Sequence, residues 1–274
     1  MISWAIHHKA ETVSTNLDAR AGVHGDVFTA DYQTAGRGRL DHKWLAPPGA
    51  NLAMSAVLGV GGRRPEEIAT LPLVIGLAVV QAISKGSVPE RTGRDLPEPF
   101  RWGLSPSSEG PVPSSTGVCP QAEVPLLKWP NDVLIGGKKV CGILCERHGD
   151  FVVAGIGVNV KPRKFPPELA KTATWLGPVP NGVCGVRDAV LREIGELYEE
   201  WREGGFRAVY PEIRAIDYLR GQTLAVRQTD DDSEPVRGVC GGIQPDGSLL
   251  VGETPVYAGE AHVILPDRPL YRDE

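Results

Sequence analysis

Three short segments hold the side chains best suited to chemistry. Gly36-Arg37-Gly38-Arg39 lies in a loop just after a strand-like segment. Its glycines leave the backbone free to approach a ligand closely, and its arginines offer forked donors for phosphate or carboxylate. Two readings of it stand, an anion site and a solvated basic loop. Lys128-Trp129-Pro130-Asn131-Asp132 is the second segment. A lysine near the end of an apolar strand is held in place and partly desolvated, so it can serve as a fixed point charge beside an anion. A lysine snorkelling to water from a strand-end turn is the alternative. The third is Gly155-Ile156-Gly157-Val158-Asn159. It lacks the third glycine and the following helix of a dinucleotide-binding loop. Glycines within a strand mark instead the close approach of a ligand or of another backbone.

Cys141, Cys145 and His148 could suggest zinc. On a strand, a spacing of four puts both sulfurs on one face about 13 Å apart, too far for one ion. Ordinary buried cysteines are therefore expected. The remaining histidines form no triad spacing, and there is no Gly-x-Ser-x-Gly elbow.

The elements that must position these groups follow from periodicity. A β-rich start (Ile2 to His7) leads to Ser14-Thr15-Asn16, a helix N-cap signal. Asp26 to Tyr32 alternates as a strand, and Asn51 to Leu58 is an apolar one. Pro65-Glu66-Glu67 opens a helix that reaches Lys85, with a break at Pro72. Residues 86–125 are rich in Gly, Pro and Ser and read as an irregular surface insertion, with a partner-docking loop as the alternative. Leu126 to Trp129 and Val133 to Ile135 are strands, and Gly136-Gly137 turns a hairpin into Lys139 to Glu146. Phe151 to Val160 is apolar on both faces and should be central.

Val186, Val190, Ile194, Leu197 and Trp201 line one face of a helix, and a shorter helix disturbed at Pro211 spans Phe206 to Leu219. Five short strands then follow, in Thr223 to Gln228, Val236 to Ile243, Ser248 to Val251, Thr254 to Tyr257 and Ala261 to Leu265. Pro255 confines the fourth to an edge. Asp230-Asp231-Asp232 and Pro245-Asp246-Gly247 supply turns. The expected fold is α+β over residues 1–219, with a small barrel appended over 220–274.

Composition excludes some classes. A net charge of −5 disfavours duplex nucleic acid as main partner. No apolar run reaches the ~18 residues of a membrane span. Leu71 to Ile83 is the longest, and Pro72, Gly76 and Gln81 interrupt it. The start lacks the basic and apolar regions of a signal peptide. Five cysteines are simplest to explain as free thiols in a reducing cytosol, so a cytoplasmic protein is expected.

Taken together, Ser14-Thr15-Asn16, Gln33-Thr34-Ala35-Gly36-Arg37-Gly38-Arg39 with Lys43-Trp44, Gly49-Ala50-Asn51-Leu52, Lys128-Trp129-Pro130-Asn131-Asp132, Lys139-Val140-Cys141-Gly142-Ile143-Leu144 and Gly155-Ile156-Gly157-Val158-Asn159 resemble the successive motifs of biotin–protein ligases, in that family's order. The resemblance is close over residues 10–160 and loose beyond. It implies a mixed β-sheet packed by helices, the class II synthetase-like biotin/lipoate ligase catalytic domain, followed by a small SH3-like β domain. It also implies a two-step activity. Biotin carboxylate attacks the α-phosphate of ATP, with Mg²⁺, to give biotinyl-5′-AMP and pyrophosphate. A lysine of a biotin carboxyl carrier protein domain, part of a biotin-dependent carboxylase, then displaces AMP.

By the same resemblance, Lys128 would bridge the biotin carboxylate and the α-phosphate, and Arg39 would hold the same region. Arg37 would order the loop and reach phosphate. Gly36 and Gly38 would let that loop move when empty and close on ligand. Ser14, Thr15, Asn16, Gln33 and the backbone of Gly142, Ile143 and Leu144 would meet the ureido ring, with Trp44 walling the apolar side of the bicycle. Gly155 would lie by the biotin tail, and Gly157, Asn159 and Asn131 by the nucleotide. Adenine contacts would fall within Lys161 to Trp175, and no metal ligands are assigned. Because the Ser-Thr-Asn motif starts at residue 14, no DNA-binding domain is expected; a homodimer is compatible. The competing readings are a lipoate–protein ligase, a non-catalytic biotin-binding or sensing protein, and a basic loop that binds nucleic acid.

Overall fold

The computed structural model describes residues 2–40, 42–44, 46–86, 124–228 and 234–264. The expected insertion at 86–125 falls almost wholly outside the described residues, as do the Asp230-Asp231-Asp232 turn and Leu265.

Seven strands form the main sheet: β1 (Ala5–Thr12), β2 (Asp26–Gln33), β3 (Asn51–Gly59), β4 (Leu126–Lys128), β5 (Asp132–Ile135), β6 (Lys138–His148) and β7 (Phe151–Asn159). Their spatial order is β1-β2-β3-β7-β6-β5-β4, so β7 is the middle strand, as its two apolar faces predict. β1 runs parallel to β2, and the other neighbours are antiparallel. β1 begins and ends later than expected, because His7-His8-Lys9-Ala10-Glu11-Thr12 shows no apolar alternation. Its place comes from backbone pairing at the sheet edge, with nearly every side chain exposed.

The longer helices cover one face, and α1 lies on the other. α1 is the single turn Thr15–Asp18, with Ser14 at its N-cap. The chain stops and restarts between α2 (Pro65–Ile68) and α3 (Leu71–Gly86), where Pro72 sits in the first turn of α3. By length and composition Pro65–Gly86 could cross a bilayer, but 72% of its apolar window is buried inside the protein. It is apolar all round because it lies between the sheet and α4 (Gly182–Gly204). Val190, Ile194, Leu197 and Trp201 of α4 are buried in that layer. α5 (Phe206–Ala215) runs through Pro211 without a break, with buried Phe206, Val209 and Ile213 holding its inner face, and ends earlier than expected.

The C-terminal strands are β8 (Thr223–Arg227), β9 (Val236–Ile243), β10 (Leu249–Val251), β11 (Thr254–Val256) and β12 (Glu260–Val263). They form an antiparallel sheet in the order β11-β10-β9-β8-β12. It is consistent with an SH3-like domain but is not closed into the expected barrel, since β11 and β12 are its two free edges. Pro255 has no N–H to extend the ladder beyond three-residue β11.

Candidate active site

A cavity of about 210 Å³ opens on the sheet face away from α3 and α4. At one end lies a buried polar cluster. Ser14, Thr15 and Asn16 are each under 5% exposed. The Thr15 N–H donates to Gln33 Oε1 at 2.8 Å, and its hydroxyl lies 3.1 Å from the same oxygen. Ser55 Oγ sits 2.6 Å from Asn16 Oδ1 and 2.8 Å from Thr15 Oγ1. Asn16 Oδ1 can only accept, so the one Ser55 hydroxyl proton goes to it. Asn16 Nδ2 donates to Glu146 Oε2 at 2.8 Å.

The strand glycines have a particular use here. A Cβ at Gly155 would come 2.1 Å from Asn16 Oδ1, and one at Gly157 would come 2.5 Å from the Trp44 ring. What approaches β7 closely is thus neither a ligand nor another backbone, as expected, but two side chains that themselves line the cavity.

The described residues of the loop from Gly36 to Trp44, 36–40 and 42–44, pair as a small hairpin over the cavity. Gly38 N–H donates to His42 O at 2.7 Å and Trp44 N–H to Gly36 O at 2.9 Å, with an Arg37–Lys43 bridge between them. Arg37 reaches Glu146 Oε1 at 3.0 Å, and Arg39 reaches Asn131 Oδ1 at 3.4 Å.

Cations gather at the cavity's other end. Lys128 closes β4, and among the described residues it makes no ion pair within 4 Å. Burial lowers its pKa from the ordinary lysine value; Asp132 and Glu260 oppose that shift and Lys139 adds to it. Burial likewise lowers Arg39, against the pull of Glu260 and Asp132. Lys139 pairs with Asp132 at 2.7 Å and lies 5.9 Å over the Trp44 ring. Next to Lys128, buried Trp129 donates its indole N–H to the Gly247 carbonyl of the C-terminal sheet at 3.1 Å. That sheet also contributes Gly259, Glu260, Ala261 and His262 to the cavity wall.

The cavity thus brings together Ser14, Thr15, Asn16, Gln33, Arg37, Gly38, Arg39, Trp44, Lys128, Asn131, Gly142, Ile143, Leu144, Gly155 and Gly157. Gly36 stands just behind it, against the Trp44 backbone. Two expectations change. The backbone N–H and carbonyl of Ile143 both bond Asn131, at 3.0 and 2.6 Å, so its N–H has no further bond to give and its carbonyl keeps only a second lone pair. Asn159 does not line the cavity; it is buried, joined to Asn51 at 2.7 Å, Thr174 O at 2.9 Å and Arg163 at 3.0 Å.

Sequence reading gave no role to Lys139, Asp132, Ser55, Glu146 or Glu260. Lys139 and Asp132 lay within quoted motifs. Glu146 had one local signal, the lone carboxylate in the strand Lys138–His148. Ser55 and Glu260 had none. Burial pushes the Cys141 and Cys145 thiols up, Cys145 to about 12; Cys141 is buried as expected, while Cys145 is half-buried. Among the described residues no group of three His, Cys, Asp or Glu could hold a metal ion.

Residues 10–162 match the Biotin/lipoate A/B protein ligase family, and the chain belongs to that family. Within it, the chain is similar to biotin–[acetyl-CoA-carboxylase] ligases. It is 31% identical to that of Mycobacterium tuberculosis over 255 residues, covering 88% of this chain and 81% of the relative. With that of Paracoccus denitrificans it shares 34% over 268 residues, covering 88% and 92%. The solved structure of the biotin protein ligase from Aquifex aeolicus in complex with biotin and ATP aligns with a TM-score of 0.70 at 25% identity, covering 94% of this chain and 98% of that one.

Proposed function

We propose that this cavity activates biotin as biotinyl-5′-AMP at the expense of ATP and passes the acyl group to a lysine of a biotin carboxyl carrier protein domain, in the cytoplasm. The observation that carries this reading is the division of one small cavity into a buried polar end and a cationic end. A ureido ring needs fixed donors and acceptors, and the cluster of Thr15, Asn16, Gln33 and Ser55 offers them. A carboxylate meeting a triphosphate needs charge neutralisation, and Lys128, Lys139 and Arg39 offer that.

In this reading Ser14 and the Gly142 and Leu144 backbone border the ring, and Trp44 covers the apolar side of the bicycle. Gly155 keeps the floor low enough for Asn16 to reach its place beside the ring. A biotin carboxylate oxygen attacks the α-phosphorus, the bond to the β-phosphate oxygen breaks, and pyrophosphate leaves with the electron pair. Lys128 is the apt bridge between carboxylate and α-phosphate, since it is desolvated and has no competing ion pair among the described residues. Arg39 and Lys139 flank it. Arg37, Gly38 and Asn131 hold the nucleotide side, and Gly157 admits Trp44.

Mg²⁺ arrives with ATP as the metal–nucleotide substrate. The cavity's own carboxylates, Asp132 and Glu260, are few enough to leave its coordination mainly to phosphate oxygens and water. The Gly36–Trp44 hairpin shields the mixed anhydride from water until an acceptor amine attacks the acyl carbon and AMP departs.

The test is biotin-dependent exchange of labelled pyrophosphate into ATP, with lipoate in parallel. Exchange with biotin alone is the expected result. Exchange with lipoate alone would move the chain to the lipoate branch of the family, and exchange with neither, in a protein that binds biotin, would make it a sensor.

A further inference from the structure

Glu146 does not line the cavity, yet it touches both of its halves. It sits on β6, on the same face as Gly142 and Leu144, opposite Val153 of β7. Its two carboxylate oxygens are divided between two elements. Oε2 accepts from Asn16 Nδ2 at 2.8 Å, in the buried polar floor. Oε1 accepts from Arg37 Nη1 at 3.0 Å, in the hairpin above. Arg20 stands further off, 3.7 Å from Oε1. The side chain is 18% exposed, against 44% for Arg37.

The hairpin is stiffened by its own bonds from Gly38 to His42 and from Trp44 to Gly36. Tension on Arg37 therefore reaches Arg39 and Trp44, which do line the cavity. At its other side Trp44 packs over Gly157 and Gly142 with Lys139 above its ring, and among the described residues the hairpin's further side-chain polar holds are the weaker ones of Arg39 on Asn131 at 3.4 Å and of His42 on Glu260 at 3.3 Å, the latter between two exposed side chains. The Arg37–Glu146 pair has the shortest side-chain hydrogen bond between this hairpin and the sheet among the described residues.

We propose that Glu146 is the positioning residue that latches the Gly36–Trp44 hairpin over the cavity, and so sets how long an activated acyl intermediate stays enclosed. The second half of this statement rests on the function proposed above; the first does not. Glu146→Gln is the informative variant. It keeps shape and an acceptor for Asn16, but it removes the charge that holds Arg37.

The hairpin carries its own reporters, since trypsin can cut after Arg37, Arg39 and Lys43. In the full-length protein, E146Q is expected to raise the rate of these cuts about threefold to fivefold, the reach of a partly exposed hydrogen-bonded ion pair. Its circular dichroism and melting point should match the wild type. Raising salt from low to ~0.5 M should speed the wild-type cuts toward the variant's rate and leave E146Q unmoved, after normalisation to a small peptide substrate of trypsin. Arg37→Gln removes the other half of the pair without touching Asn16. It should speed the cuts at Arg39 and Lys43 by the same factor, and E146Q with R37Q together should add nothing more.

Loss of preformed biotinyl-5′-AMP from E146Q, in the absence of an acceptor, should rise by the factor seen in proteolysis. Unchanged cleavage in both single variants, or additive effects in the double, overturns the latch. If the wild type forms no adenylate, the functional reading fails and the proteolysis still decides the latch. If cleavage rises while adenylate loss does not, the latch stands and its control of retention is overturned.

Discussion

Replacing Gly155 by alanine probes the junction between fold and chemistry more directly than removing any charged group. The new methyl would lie 2.1 Å from Asn16 Oδ1 and 2.9 Å from Asn16 Cγ. Ordinary contact lies beyond about 3.4 Å, so the Asn16 amide must retreat by more than an ångström. It has nowhere to go. Ser55 and Glu146 hold it at 2.6 and 2.8 Å, and Gly155 itself sits mid-strand between Ser55 of β3 and Leu144 of β6. Overpacking costs about 1–3 kcal/mol, and a disrupted buried hydrogen bond about 1–3 kcal/mol more. A loss of roughly 2–6 kcal/mol corresponds to a fall in melting temperature of about 4–24 °C at the ~2–4 °C per kcal/mol of larger domains. Biotin affinity should fall as well, since Asn16 is displaced from the polar end of the cavity. Differential scanning calorimetry and a biotin titration read the two effects. The internal control is Asn16→Ala, which removes the clashing atom. On that background the added methyl should cost less than ~1 kcal/mol, a strong departure from additivity. A Gly155→Ala protein with wild-type melting and biotin affinity, or an equal cost on both backgrounds, would refute the reasoning.

Three further outcomes are expected. Lys128→Ala should abolish adenylate formation while the fold survives; near wild-type pyrophosphate exchange would remove Lys128 from the role given to it. Because burial lowers its pKa, free Lys128 loses its charge at a lower pH than an exposed lysine, and a bound carboxylate raises that value again. Biotin binding should therefore take up a proton on the alkaline side and weaken as pH rises through the free value; calorimetry in buffers of different ionisation enthalpy measures the uptake, and Lys128→Arg should flatten the trend. Among Cys141, Cys145, Cys184 and Cys240, only Cys184 is exposed, so iodoacetamide at pH 8 should label it first, and Cys141 and Cys145, whose thiols burial pushes up, last. Peptide mass spectrometry decides this, and labelling of Cys145 as fast as Cys184 would contradict this order.

Strands and helices that bury a face were legible in the chain. The alternation in Asp26 to Tyr32, the two apolar faces of Phe151 to Val160 and the stripe from Val186 to Trp201 each record a packing constraint in local order. β1 was misplaced because an edge strand with nearly every side chain exposed needs no pattern, and its register is set by β2. The barrel was expected from five short strands, but closure depends on whether the edge strands can pair, which Pro255 bears on and strand count does not. Within the site, arginines beside glycines announced themselves. Ser55 did not, since one serine in an apolar strand looks like a tolerated polar residue until Thr15 and Asn16 are brought against it from forty positions away. Glu146 and Asn131 matter through partners more than ninety residues off along the chain or across a strand pair, a relation that neither period nor composition can hold.

The wall formed by Glu260, Ala261 and His262, and the Gly247 carbonyl that holds Trp129, come from the last-made part of the chain. Ribosomes release the N-terminal segments first, and these can fold while synthesis continues. The seven-stranded sheet can thus be complete, with Arg39 and Lys128 already in place, while the cavity still stands open on one side. A chain cut short before the C-terminal sheet would lack this wall, and Trp129 would lose its partner at Gly247, so truncation there would open the site from one side while leaving the residues on the main sheet unchanged.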